Sequence, residues 1–361
     1  MTVHMHNTET RVLSLADADQ WSAVFDSLPP ILQDVYFTPA YYRTHELNSS
    51  SKGMCFLYQE NEHFFLYPHL ITEVRADLHG EKEKYFDAEG AYGYNGPAFT
   101  SEDPEFLLRA QEAWSDHCKQ AKLIAEFTRF NPVLANHSHS QMQVIKASSN
   151  IILDLRAEDI WMKEYEHSAR KNINKAERSG LKVTRKSALE VSSEEMNAFL
   201  DIYYDTMKRN EADESYYFSR KYFQDLNKNL GEQAQYFFTL NEHKIVSCEL
   251  VLCGALTGYS YLGGTLSESF ILRANDILKH YIIQYLKESG RHYFCLGGGT
   301  ESGDGIFRYK KCFAKNGEKD FLIGKKIHLP QIYDKVVMNW INQHPEKSKR
   351  YQHFLLKYKI A

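Results

Sequence analysis

The segment Leu296–Phe313, LGGGTESGDGIFRYKKCF, gathers more chemistry-bearing residues than any other stretch of the chain. Its glycines can expose backbone amides to an anion. A partly buried lysine behind them can stabilise the oxyanion that develops when an amine attacks an ester or thioester. Lys310 is the candidate for that lysine, with Arg308 and Lys311 as further anion contacts. Asp304 is the candidate proton acceptor, and Glu301 and Glu249 are the alternatives. The alternating Ile306-Phe307-Arg308-Tyr309 reads as extended chain, and the same letters also suit a bulge, a turn carboxylate and a surface lysine pair. No G-K-[ST] follows the glycines, which excludes a P-loop, and no G-x-S-x-G elbow occurs, which excludes an α/β-hydrolase nucleophile.

Three further segments carry charge or aromatic faces. In Tyr203–Phe218, Arg209 offers a planar bidentate donor beside Tyr216 and Tyr217, a combination suited to a sugar phosphate but also to ordinary surface packing. In Tyr261–Asp276, Gly263-Gly264 ends a strand and lets a ligand approach the backbone, and Asn275 is placed to cap the helix that follows. The R/Q-x-x-G-x-G/A loop that binds a coenzyme A pyrophosphate is absent there. In His167–Gly180, Arg170, Lys171, Lys175 and Arg178 recur at helical spacing, which gives either a phosphate-facing or a solvated basic surface.

These segments need a scaffold, and the periodicity supplies one. Met54–Gln59 and His63–Ile71 read as a hairpin, Glu105–Ala121 as a helix, and Lys122–Phe130 and Ile151–Leu155 as strands. A first α+β domain, residues 1–155, follows. The second, residues 156–361, begins with a helix over Ala157–Gly180 and a second over Met196–Asn210. Strands at Gln235–Leu240, Lys244–Cys253 and Thr257–Gly263 come next, then a helix over Asn275–Ser289 and a strand at His292–Leu296.

The chain has 361 residues, 43% hydrophobic, enough for two packed cores and too apolar for disorder. Six scattered cysteines without a CxxC pair indicate neither a disulfide framework nor a zinc site, and His137-Ser138-His139 reads as a polar turn, so no metal is expected. No apolar run is long enough to span a membrane and no leader is legible, so the expected compartment is the cytoplasm. The net charge of -4 conceals a segregation: residues 1–100 carry 6 basic and 14 acidic side chains, residues 305–361 carry 13 and 4. A field of that kind can steer an anionic ligand.

The order helix, helix, three strands, helix, strand resembles a GNAT acyltransferase domain. The stretches TMKRNEADESYYF (Thr206–Phe218), LRANDILK (Leu272–Lys279) and DGIFRYKKCF (Asp304–Phe313) resemble the FemAB-like branch of that superfamily, as do FTPAYYRTH (Phe37–His45) and YGYNGPAF (Tyr92–Phe99). The resemblance implies two tandem GNAT-like domains, each a mixed, mostly antiparallel sheet flanked by helices. The first would be structural and acceptor-binding, the second would hold the acyl-transfer site. It implies that Arg209 holds an acceptor diphosphate, that Lys310 stabilises charge at the acyl carbonyl, and that Tyr261 lies in the active site. The implied activity is N-acyl or aminoacyl transfer to an amino sugar or related amine of a surface-polysaccharide or cell-envelope precursor, nucleotide- or lipid-linked. The donor, acyl-CoA or aminoacyl-tRNA, would be a co-substrate, with no tightly bound cofactor. Two readings stand beside it: an ordinary acyl-CoA-dependent N-acyltransferase of small amines, and a non-catalytic binder of glycan or tRNA.

Overall fold

The computed structural model describes residues 8–299 and 303–360. In chain order the strands are β1 (Thr8–Ser14), β2 (Lys52–Glu60), β3 (His63–Glu73), β4 (Phe86–Glu89), β5 (Ala98–Phe99), β6 (Leu123–Arg129), β7 (Gln143–Asp154), β8 (Lys182–Ser187), β9 (Ala234–Asn241), β10 (Lys244–Cys253), β11 (Thr257–Thr265), β12 (Tyr293–Gly297) and β13 (Glu318–Ile327). The chain divides into two compact units. One holds the described residues up to 32, 36–147 and those from 321 onward; the other holds 33–35 and 148–320.

In the first unit β1, β2, β3 and β4 form an antiparallel run, and β5 pairs separately with β3. β4 then lies parallel to β6, which is antiparallel to β13. A parallel neighbour requires a crossover, and the helix Pro104–Gln120 lies in that connection. Asp103 starts it, accepting the amides of Glu105 and Phe106, with Pro104 at the first helical position where no amide partner is needed. Its buried residues Phe106, Leu107, Ala110, Trp114 and Cys118 recur every three or four positions and pack on Phe56, Tyr58, Phe65 and Tyr67 of the sheet.

The second unit has the same plan. β8, β9, β10 and β11 are antiparallel in sequence, β11 is parallel to β12 across the helix Ala274–Glu288, and β12 is antiparallel to β7. Leu278, Ile282 and Leu286 of that helix meet Ile151, Phe237, Val251, Phe294 and Phe313 in the core. The expected α+β class, with a mixed and mostly antiparallel sheet flanked by helices in each half, is what the chain adopts.

The partition differs from a single break at residue 155. Residues from 321 onward join the first unit, because β13 closes its sheet and the helix Pro330–Gln343 buries Tyr333, Val336 and Trp340 against Val74, Leu78, Ile124 and Ala125. From Ser148 onward β7 already belongs to the second. Two local expectations also change. The helix expected over Ala157–Gly180 is broken into Ile160–Lys163 and His167–Arg178, with Arg170 folded back to donate to the carbonyls of Trp161 and Tyr165. Ile306–Tyr309 is helical, within Gly305–Lys311.

Candidate active site

The two parallel strand pairs differ in one respect that locates a site. In the first unit, β4 and β6 stay paired to Glu89 and Phe127, the last residue of β4, and an Asn95–Phe130 bridge continues the contact. In the second, pairing stops at Tyr259 and Cys295, although β11 runs on to Thr265 and β12 to Gly297. Beyond those residues the strands part. Backbone groups that would have bonded each other are released along both lips of the gap.

Side chains from four elements are associated with this opening. Lys279, on the buried face of the helix Ala274–Glu288, donates to both carboxylate oxygens of Glu249 on β10 at 2.6 and 2.5 Å, and to Ser260 Oγ on β11 at 3.2 Å. The two side chains are 3% and 7% exposed, so little water remains to screen the pair. A pair that deep is tolerable only because the geometry is bidentate and the serine takes a further ammonium proton. Lys310 reaches in from the helix Gly305–Lys311, its Nζ donating to the Gly298 carbonyl at 2.6 Å. Burial, and then the like charge of Lys279, pull its pKa down to about 8. Next to it, Tyr309 donates its hydroxyl to the Asn275 carbonyl at 3.0 Å, which ties this short helix to the start of the long one.

Asp304 sets the direction of the Lys310 helix. Its side chain accepts the Phe307 amide at 2.7 Å as N-cap, after Gly303 has turned the chain through φ +73°. Gly299 must be glycine, because a Cβ there would lie 2.2 Å from Asp304 Oδ1. The carboxylate expected to take a proton is thus also the one that orients Lys310. Glu301 lies outside the described residues.

Other expected residues sit elsewhere in the unit. The hydroxyl of Tyr261 is bonded to that of Tyr222 on the helix Arg220–Leu230. Arg209 ends the helix Ser193–Arg209, pairing with Asp205 at 2.7 Å, donating to Thr206 Oγ1 and the Thr265 carbonyl, and lying over the Phe270 ring. Tyr216 and Tyr217 are exposed on the turn beyond it, Tyr217 stacked on Tyr204. Arg308 is exposed, and Lys311 pairs with Glu318 at 2.8 Å.

One expectation needs correction, and the paired glycines acquire a packing reason. Asn275 does not cap: the helix begins after Arg273 in a left-handed conformation, and Asn275 lies inside the first turn, offering only its carbonyl. Gly263 and Gly264 are required by packing on the side where a Cβ would stand, since one on Gly263 would meet the Cys248 carbonyl at 2.3 Å and one on Gly264 the Thr206 hydroxyl at 2.2 Å. They allow β11 to pack against β10 and the helix Ser193–Arg209.

Sequence reasoning passed over Lys279 and Asp276. A lysine between Leu278 and Ile282, on an otherwise apolar helical face, was the available signal for Lys279. Asp276 is a buried carboxylate in the first turn of the same helix, held by Asn172 Nδ2 at 3.0 Å, and its burial raises its pKa.

A family model described as an acetyltransferase (GNAT) domain matches residues 166–311. No curated protein matches the chain. Among solved structures, FemX is 15% identical with a TM-score of 0.65, covering 90% of this chain and 99% of that one. A conserved protein of unknown function from Bacteroides thetaiotaomicron is 12% identical, with a TM-score of 0.55 over 88% and 99% of the two chains. A C-terminal domain from Agrobacterium fabrum, assigned to a lysylphosphatidylglycerol synthetase, is 14% identical, with a TM-score of 0.53 over 90% and 98%. Residues 166–311 thus match a GNAT acetyltransferase domain, the chain as a whole shares its fold with FemX, and the matched segment lies within the unit whose parallel strands part after Tyr259 and Cys295.

Proposed function

We propose that the second unit transfers an aminoacyl group from an ester donor to an amine of a cell-envelope or surface-polysaccharide precursor. The observation that carries this reading is Lys310, a half-buried ammonium anchored on Gly298 at the mouth of the strand gap. The acceptor amine attacks the donor carbonyl, and the negative charge that develops on oxygen is met by Lys310 already in position. The new C–N bond forms as the ester C–O bond breaks. The amine's proton passes to Asp304 and from there to the departing hydroxyl, so that no covalent enzyme intermediate is needed. Lys279 keeps the Glu249 carboxylate occupied, which leaves Asp304 as the acceptor of choice.

The start of the helix Ala274–Glu288 favours an aminoacyl ester over acyl-CoA. A helix N-terminus attracts anions, and a coenzyme A pyrophosphate would use that attraction. Here the first turn already contains the Asp276 carboxylate, which repels a second anion. The resemblance to the FemAB-like branch supports a charged-tRNA donor, and the similarity in fold to a lysylphosphatidylglycerol synthetase domain supports a cell-envelope acceptor. The exposed Tyr216 and Tyr217 and the Arg209 guanidinium are assigned to the acceptor, and the first unit to positioning it.

Mass spectrometry of products from amino-sugar acceptors, supplied in turn with charged tRNA and with acetyl-CoA, tests the assignment. Amide formed only with charged tRNA, and abolished by ribonuclease, is the expected result. Turnover with acetyl-CoA would transfer the assignment to an ordinary N-acyltransferase, and turnover with neither would make the chain a binding protein.

A further inference from the structure

The first unit contains a second cluster of reactive side chains that the transfer reaction does not use. Cys118 comes from the last turn of the helix Pro104–Gln120, Glu126 from the middle of β6, and His328 from the residue after β13. All three are buried, and one donor atom from each lies within 4.8 Å of the others. It is the one such group of three or more among the described residues.

We propose that Cys118, Glu126 and His328 bind a zinc-class transition-metal ion that fastens the C-terminal stretch of the chain to the first unit. The donor set is a thiol, a carboxylate and an imidazole, which together favour zinc over calcium or magnesium. Metal bonds of about 2.0–2.3 Å put tetrahedral donors roughly 3.5 Å apart, so the side chains adjust around the ion, and the 2.9 Å Glu126–His328 hydrogen bond gives way to bonds to the metal.

Its surroundings suit that role. Glu126 is oriented by two donors outside the set, the Tyr67 hydroxyl on Oε1 at 2.7 Å and the Trp114 indole on Oε2 at 3.0 Å. Donors that fix a ligating carboxylate in this way are the usual outer support of a metal centre. The His328 backbone is fixed independently, its amide donating to the Ile124 carbonyl at 2.9 Å. Its ring bonds Glu126 through Nε2 at 2.9 Å, while Nδ1 is buried with no hydrogen-bond partner. Charge also balances, because a thiolate and a carboxylate neutralise a divalent ion in a low-dielectric core. On binding, the thiol proton leaves to solvent as Sγ bonds the metal.

The test uses the full chain. Metal analysis of protein purified from zinc-supplemented culture should find one zinc per chain. After chelation, added Co²⁺ should give a thiolate-to-cobalt charge-transfer band and raise Tm by roughly 5 °C. Cys118→Ser should abolish the band while circular dichroism stays unchanged, and Glu126→Gln should weaken Co²⁺ binding at least tenfold. Should either variant fail to fold, X-ray absorption of the unsubstituted Co²⁺ protein should still show one sulfur in the metal shell. Absence of stoichiometric metal together with no cobalt band, a sulfur-free shell, or a band that persists in Cys118→Ser would each overturn the proposal.

Discussion

Lys310 carries the proposed transfer reaction, and its setting dictates how it should respond to substitution and pH. If it meets charge that exists only in the transition state, Lys310→Ala should lower kcat by about 10²–10³ while acceptor KM changes little, as steady-state kinetics would show. Burial and Lys279 depress its pKa to about 8, so the side chain is charged below that value and loses its proton as pH rises through it. An oxyanion partner must be charged. The kcat profile should therefore be flat near neutrality and fall about tenfold per pH unit above 8. Arg209→Lys should raise acceptor KM with kcat preserved, because a point charge cannot keep the fork that engages Asp205, Thr206 and the Thr265 carbonyl while also holding a ligand. At this scale the sequence was partly legible. Lys310 and Asp304 stand in a glycine-rich run that advertises them. The Lys279–Glu249 pair joins residues 30 positions apart through a strand and a crossover helix, and no local pattern records that meeting. The Cys118, Glu126 and His328 cluster is more remote still, since Glu126 and His328 are 202 residues apart.

At the scale of elements, strands and long helices were readable from periodicity, and short pieces were not. The helix Pro104–Gln120 follows from its stripe of Phe106, Leu107, Ala110, Trp114 and Cys118. Gly305–Lys311 has only seven residues, too few for a helical stripe to outweigh an apparent alternation, and its helicity depends on the Asp304 cap. Asp304→Asn should keep the cap and lower kcat if the carboxylate moves a proton, whereas Asp304→Ala should also cost about 1 kcal/mol in urea denaturation. The paired glycines of β11 mislead in the opposite direction, since glycine marks close approach without saying of what. Gly264→Ala would drive a methyl into Thr206 and the Ile202 carbonyl, and should destabilise the second unit by about 1–3 kcal/mol, read as a lower urea midpoint with unchanged m.

For the whole molecule, the sequence indicated two halves but not the allocation of the C-terminal stretch, whose hydrophobic residues look alike whichever core they enter. Trp340 is fully buried in the first unit, so Trp340→Ala should cost about 3–5 kcal/mol there. Hydrogen exchange should show the loss of protection in β4 and β6 while β9 and β10 stay protected. The basic surplus after residue 305 is divided by the same allocation: Arg308, Lys310 and Lys311 belong to the second unit, and the lysines from Lys325 onward to the first.

That allocation also sets the timetable by which the protein is made. Ribosomes deliver the chain from its N-terminus, yet β6 lacks its antiparallel neighbour β13 until every strand of the second unit has been made. The second sheet is complete once β12 has appeared. The half that starts first therefore finishes last, because residues 321 onward must return to it after the second unit has been delivered.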